Sequence, residues 1–312
     1  MDALIQSLVQ SNFAPDRIVP QASMVQYTTL RIGGPADVLV NVVSADEIAV
    51  ALHAAKNAGA PVTIIGNGSN LLVRDGGIRG LVLRVAGGMN AIRREGDRLI
   101  VEAGASLASV AAFARDEGLC GLAELGGIPG TVGGGVLMNA GAYGAELSQV
   151  VAQVEGIHLA DGRRVSYPAD RLNFSYRHSA LMDTDVVVTQ ATLALAPGNP
   201  EAIRARMEAC ARARREKQPL NLPSAGSTFK RPEGHFAAKL IDDCGLRGLT
   251  VGGAQVSEKH AGFVVNIGGA TARDMLELMR QIEQRVFEQT GVQLEPEVRI
   301  LGADEQKKEE SV

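Results

Sequence analysis

The stretch GGIPGTVGGGVLMNAGAYG, Gly126 to Gly144, holds eight glycines in nineteen residues. A shorter run, GNGSN at 66–70, sets two more glycines among small polar side chains. Segments of this kind act through their backbone. Glycine adopts positive φ without steric cost, so successive N–H groups can turn toward one anion. Two such nests could hold the two phosphates of one pyrophosphate. Either run alone reads as a tight turn between strands with no ligand. Both together, with TTLRIGGPA at 28–36 as a third, favour a ligand. The common phosphate motifs do not fit. GNGSNL starts as G-x-G, but Leu71 stands where a dinucleotide fingerprint needs its third glycine, and the next element reads as a strand. No Gly-Lys pair occurs, which rules out a P-loop.

The elements that must position these runs alternate between strand and helix. Ala3 to Gln10 reads as a short helix, and Ala36 to Val43 as a strand. Ser44-Ala-Asp-Glu47 is a capping box opening a helix that Gly59 closes. Strands follow at 62–65 and 98–102. Ser106 caps a helix that stops at Gly118. Val150 to Tyr167 reads as a hairpin turning at Asp161-Gly162, and Asp185 to Leu195 as a strand. PGNP at 197–200 breaks the pattern and marks a domain boundary. Beyond it Asn199 caps a helix whose apolar stripe is Ile203, Met207, Cys210 and Ala211. Arg204, Arg206, Arg212, Arg214, Arg215 and Lys217 make that helix basic. A helix is expected at 236–243 and a strand at 262–266. Thr271 caps a long helix with a stripe of Met275, Leu278, Met279, Ile282 and Val286, closed by Gly291. A strand at 298–300 precedes a charged tail expected to be disordered.

Composition bounds the rest. The chain has 312 residues, 46% hydrophobic and 21% charged, with net charge −4. That length predicts two domains, and that balance an ordinary globular protein with no basic field for nucleic acid. Cys120, Cys210 and Cys244 are far apart, giving neither a disulfide framework nor a metal site. The N-terminus has no basic segment followed by an apolar run, and nothing is long and apolar enough to span a membrane. The expected setting is cytoplasmic.

Four blocks of the chain closely resemble the UDP-N-acetylenolpyruvoylglucosamine reductases, flavoenzymes of peptidoglycan precursor synthesis. The first three are YTTLRIGGPAD (27–37), IIGNGSNLLVRDGGIRGLVLR (64–84) and GLAELGGIPGTVGGGVLMNAGAYGAEL (121–147). The fourth is a C-terminal set: FSYRHSAL (174–181), KQPLNLPSAGSTFKRP (217–232), GLRGLTVGGAQVSEKHAGFVVN (245–266) and LEPEVRILG (294–302). The resemblance implies an α+β chain. An N-terminal helix and linker (1–24) would precede an FAD-binding domain of the vanillyl-alcohol-oxidase type at 25–198, in two α+β subdomains of about 25–85 and 86–198. A smaller α+β substrate domain would occupy 199–303, before a charged tail at 304–312. The shorter type of the family is implied, because no tyrosine-bearing insertion separates the YR and AGS blocks. Gly135 departs from the family's usual Ala or Ser.

The resemblance also implies roles. FAD would be held by Ile65, Gly66, Asn67, Gly68, Ser69, Asn70 and Leu71 on one side. Gly127, Ile128, Pro129, Gly130 and Thr131, then Gly133 and Gly134, then Asn139, Ala140 and Gly141 would hold the other. No His or Cys falls within the main flavin blocks, so FAD is expected to be noncovalent. The family reaction adds hydride to an enolpyruvyl ether conjugated to a carboxylate. It needs an electrophile at that carboxylate and a proton donor to the neighbouring carbon. Arg177 matches the arginine that grips the carboxylate, Ser227 the proton donor and Glu297 the catalytic glutamate. Glu295 shares a strand face with Glu297, and only the family motif separates them. Lys217, Lys230 and Lys259 are the substrate-binding expectations, with His260 weaker. NADPH is the implied reductant, no metal is involved, and the protein is expected to be a monomer. Two rivals are another FAD oxidoreductase on this fold and a catalytically silent flavin or nucleotide-sugar binder.

Overall fold

The computed structural model describes residues 2–305. Seven α-helices occur among them: α1 Asp2–Gln10, α2 Ala45–Asn57, α3 Leu107–Asp116, α4 Val132–Leu137, α5 Pro200–Lys217, α6 Ala237–Asp243 and α7 Ala272–Thr290. No described helix is long and apolar enough to cross a membrane. The chain forms two compact units that interleave in sequence. One comprises Met1–Pro20, Val38–Asn67 and Gly80–Arg214, the other Gln21–Asp37, Gly68–Arg79 and Arg215–Val312.

The first unit has two cores. In one, α1 and α2 cover strands of a sheet ordered Ile18–Ser23, Pro35–Asn41, Ile78–Arg84, Val62–Ile65, burying Leu4, Leu8, Val38, Val40, Ile48 and Leu83. The pair Val62–Ile65 and Leu81–Arg84 is parallel, and α2 lies in the chain between the strands Pro35–Asn41 and Val62–Ile65. In the other, α3 and α4 pack against a five-stranded antiparallel sheet. Its order is Arg164–Pro168, Val151–His158, Val186–Ala194, Arg98–Glu102, Ile92–Glu95. Leu99, Val101, Val110, Val132, Val136, Val154 and Leu193 fill that core.

The second unit is built on α7. Its expected stripe, Met275, Leu278, Met279, Ile282 and Val286, is wholly buried. The stripe packs with a small antiparallel sheet, Thr250–Val251, Ala254–Val256 and Val264–Asn266. Leu30, Ile32 and Leu72 join the same core. Leu71–Val73 pairs in parallel with the last strand, Arg299–Leu301. Thr271 and Asp274 make the reciprocal cap of α7, and Gly291 closes it at φ +70°.

Two local readings change. The box at Ser44 is only half reciprocal: the Ser44 side chain accepts from Glu47 N–H, but the Glu47 carboxylate takes Val43 N–H and Arg17 instead. The hairpin forms as expected, with residues 159–163 joining its strands and Gly162 at φ +72°. Helix α4 was not foreseen inside the glycine run, since glycine disfavours helix. The Thr131 cap and burial of Val132 and Val136 supply what propensity lacks. The disorder expected of the tail falls beyond residue 305, outside the described residues, while Asp304 forms an ion pair with Arg74 at 2.6 Å.

Candidate functional site

In the first unit the two glycine runs meet. Ile65 ends its strand, and Gly66 follows so close to Thr131 that a Cβ on it would stand 2.5 Å from Thr131 Oγ1. Asn67 Nδ2 donates to the Pro129 carbonyl at 3.2 Å. Gly127 closes a 3-10 turn. Ile128 and Pro129 lead to Gly130, whose carbonyl accepts Leu107 N–H at 3.0 Å. Gly133 and Gly134 lie in α4, and Gly141 begins a two-residue strand just after Ala140.

Several of these glycines make room for the protein itself. A Cβ on Gly133 would meet Ala103 Cβ at 2.9 Å, and one on Gly135 would meet Leu147 Cδ1 at 2.8 Å. The absence of Ala or Ser at 135 therefore suits close packing. Around Gly134 and Gly144 the space is ordinary or open. At Gly127 the neighbour is charged: a Cβ would lie 2.6 Å from Arg214 Nη1.

Asn139 is 1% exposed, and its side chain is engaged inside the protein. Its Oδ1 accepts Ser148 N–H at 2.9 Å. Its Nδ2 donates to Glu146 Oε2 at 2.9 Å and to the Ser175 carbonyl at 3.1 Å. That last bond anchors the turn Ser175–His178, whose end residues exchange backbone hydrogen bonds. Buried Ser179 fixes the other side by donating to the Leu137 carbonyl at 2.9 Å. Within this turn Arg177 has φ +55°, a conformation a non-glycine residue holds only when its surroundings enforce it. Its guanidinium carbon stands 5.0 Å from the Tyr176 ring centre. His178 is a turn residue whose Nε2 lies 3.0 Å from Asp183 Oδ2.

In the second unit the AGSTFK and LEPEVR segments lie side by side. Glu297 N–H donates to the Thr228 carbonyl at 2.8 Å, and Lys230 N–H to the Glu295 carbonyl at 2.8 Å. Thr228 is buried, and its Oγ1 accepts Val264 N–H at 2.9 Å. Ser227 is exposed just after Gly226, which has φ +80°. The structure separates the two glutamates that the sequence could not: Glu295 is exposed and ion-paired with Lys230 at 3.1 Å, whereas Glu297 is half-buried. Gly68 has φ +63°, and its carbonyl accepts Thr29 N–H. Beyond Ser69, Asn70 brackets the Glu297 segment. Its Nδ2 donates to the Glu297 carbonyl at 3.1 Å, and its own carbonyl accepts Arg299 N–H at 3.0 Å. Leu71 then opens the strand paired with Arg299.

The expected substrate lysines differ in their engagement. Lys217 is the exposed last residue of α5. Lys259 Nζ donates to the Arg215 carbonyl at 2.6 Å, and Lys230 is held by Glu295. Burial lowers His260 below the ordinary histidine value. Among the described residues no group of three His, Cys, Asp or Glu is placed to hold a metal ion.

Whether the chain suits FAD can be asked of its own atoms. The two glycine runs come together at Gly66, Asn67, Pro129 and Thr131. Beside Gly127, Arg214 keeps Nε and Nη1 buried with no hydrogen-bond partner among the described residues. A glycine-lined backbone with an unneutralised cation beside it fits a cofactor bearing anionic oxygens.

Comparison with known proteins agrees. Residues 36–167 match the FAD binding domain family, and residues 218–301 match the UDP-N-acetylenolpyruvoylglucosamine reductase C-terminal domain. These two matches define an FAD-dependent flavoprotein of α+β class, as the sequence predicts. A reductase of that name from Pediococcus pentosaceus is 46% identical over 301 residues, 96% of this chain and 100% of the relative. One from Clostridium novyi is 45% identical over 300 residues, 96% and 97% of the two chains. The crystal structure of the Thermus caldophilus reductase superposes with a TM-score of 0.78 at 39% identity, covering 91% of this chain and 98% of that one. The chain belongs to the UDP-N-acetylenolpyruvoylglucosamine reductase family.

Sequence reading counts Arg214 only among the charges that make α5 basic, and the structure adds that its Nε and Nη1 are buried. The signal was available: 203, 207, 210 and 214 follow the i, i+4, i+7, i+11 spacing of one helix face, so Arg214 continues the apolar stripe.

Proposed function

We propose that the protein reduces UDP-N-acetylglucosamine enolpyruvate to UDP-N-acetylmuramate, with NADPH as the reductant. FAD, held by the residues of 65–71 and of 127–141, would supply the hydride-transfer chemistry between NADPH and the terminal CH₂ of the enolpyruvyl group. The chain's own groups do the rest. The Arg177 guanidinium takes the substrate carboxylate through two hydrogen bonds and stays charged as negative charge builds there. Ser227 gives its hydroxyl proton to the carbon next to that carboxylate. Glu297 stands beside the developing charge, as an acid or by orienting a donor. Lys217 takes the UDP pyrophosphate, and Lys230 and Lys259 contribute to the same pocket.

The functional domains are those of the family, 25–198 for FAD and 199–303 for substrate. FAD is noncovalent, held by the residues of 65–71 and of 127–141 named above. The protein works in the cytoplasm as a monomer, on small molecules, without nucleic acid or membrane.

The observation that carries this reading is the pairing of Ser227–Lys230 with Glu295–Glu297, in a chain matched along almost its whole length by the reductases. The test is an anaerobic visible spectrum. NADPH should bleach the flavin, and the enolpyruvyl sugar nucleotide alone should restore it. Recovery only with oxygen would replace the reading with an oxidase or an inactive relative.

A further inference from the structure

Arg214 is a charged residue in an apolar position. Ile203 and Cys210, on the same face of α5, are buried. The guanidinium lies on Gly127, whose missing side chain leaves it room: a Cβ there would meet Nη1 at 2.6 Å and Cζ at 3.2 Å. Arg214 is half-buried, but among the described residues its buried Nε and Nη1 are bonded to nothing and no acid forms an ion pair with them. Guanidinium nitrogens buried without partners are costly for a fold to hold. Burial accordingly pulls Arg214 below the ordinary arginine value. The neighbouring glycine belongs to the FAD-binding segment.

We infer that Arg214 is the counter-ion for an anionic oxygen of the bound flavin cofactor, with Gly127 conserving the space in which its guanidinium lies. The inference rests on the FAD reading above. Two parts of FAD offer that chemistry. The pyrophosphate is anionic in both redox states, whereas the ring's pyrimidine edge gains negative charge only on reduction. Arginine suits either, since it stays charged and presents a planar fork of donors.

The test compares the full-length wild type with Arg214→Met and Arg214→Lys, each with and without FAD. Three quantities are read: thermal stability, affinity for FAD and for riboflavin, and the flavin midpoint potential. Arg214→Met should leave the FAD-free protein as stable as wild type or more so, because it removes an unpaired buried charge and keeps the bulk. Stabilisation by FAD should shrink. If the pyrophosphate is the partner, FAD affinity should fall about tenfold to a hundredfold, with riboflavin affinity unchanged. If the reduced ring is the partner, affinity for oxidised FAD should hold and the midpoint potential should fall. Arg214→Lys should recover part of either effect. Equal loss of stability with and without FAD would make Arg214 a packing residue and overturn the inference. So would unchanged affinity and potential in a variant whose wild type binds FAD. Wild-type protein that binds no FAD at all would overturn the functional reading itself.

Discussion

The two units hold the segments that carry the proposed catalytic residues by different means. In the first, the Arg177 turn hangs on side chains: buried Asn139 grips the Ser175 carbonyl and buried Ser179 grips Leu137. In the second, Ser227 and Glu297 sit on segments joined backbone to backbone, through Glu297 to Thr228 and Lys230 to Glu295. A backbone ladder survives the loss of any one side chain. A turn at positive φ, held by an amide and a hydroxyl, does not. Of the proposed catalytic groups, Arg177 should therefore be the one most easily displaced from a distance, while Ser227 should be hard to disturb except by direct replacement.

The largest expected effect is the direct one. Ser227→Ala should leave reduction of the flavin by NADPH intact and slow reoxidation by the enolpyruvyl substrate about 10²–10⁴-fold. Stopped-flow traces of the two half-reactions measure this, and normal reoxidation would remove Ser227 from the mechanism. Next comes Asn139→Ala, which strips partners from the part-buried Ser148 N–H and Ser175 carbonyl. A buried group left unpaired costs about 1–3 kcal/mol, and these part-buried ones fall toward the lower end. Substrate reoxidation should fall at least about tenfold if the Arg177 turn loses a comparable amount of anchoring energy. Retained substrate reoxidation in a folded variant would break the contrast.

Asn70→Ala should do less in the matching role. It removes the bond to the Glu297 carbonyl but keeps the backbone bond from Arg299 to position 70. The expected cost is about 1 kcal/mol, read as a small drop in melting temperature; an effect as large as that of Asn139→Ala would erase the distinction. The smallest effect lies away from both segments, at the α7 cap. Hydrogen bonds from Thr271 first, and from Gly253, hold the Asp274 carboxyl below its ordinary 3.8. A depressed folded-state value means the contribution is present above pH 3.8 and is lost as pH falls through the lower folded value. Asp274→Asn should lower stability at pH 7 by about 0.3–1 kcal/mol at this exposed helix end. It should also flatten the acid side of the stability curve measured by denaturant titration.

Local signals made much of this legible in the sequence. The α7 stripe, its Thr271 cap and its Gly291 stop are written in consecutive residues and were read correctly. So was the strand–turn–strand order around Gly66. Helix α4 was not legible, because its stability comes from burial of Val132 and Val136 rather than from its glycines. Asn139 shows a subtler limit. Its block was recognised, but nothing in the block says that its amide would be occupied by Ser148, Glu146 and Ser175. Arg214 reads in the sequence as one of the charges that make α5 basic, and its place on the apolar face shows only in the spacing from Ile203, Met207 and Cys210. The interleaving of the units is invisible to any local pattern, since it depends on Leu71–Val73 finding Arg299–Leu301.

That pairing has a consequence for biosynthesis. Asn70 and Glu297 are 227 residues apart in the chain. At about 5–20 residues per second, a ribosome that has made the strand Leu71–Val73 needs roughly 10–50 s to deliver its partner. The five-stranded sheet of the first unit is fully synthesised once Ala194 has been added and can close while translation continues. Leu71–Val73 must meanwhile wait as an unpaired strand, and the second unit is the last part of the nascent protein to become safe from mispairing.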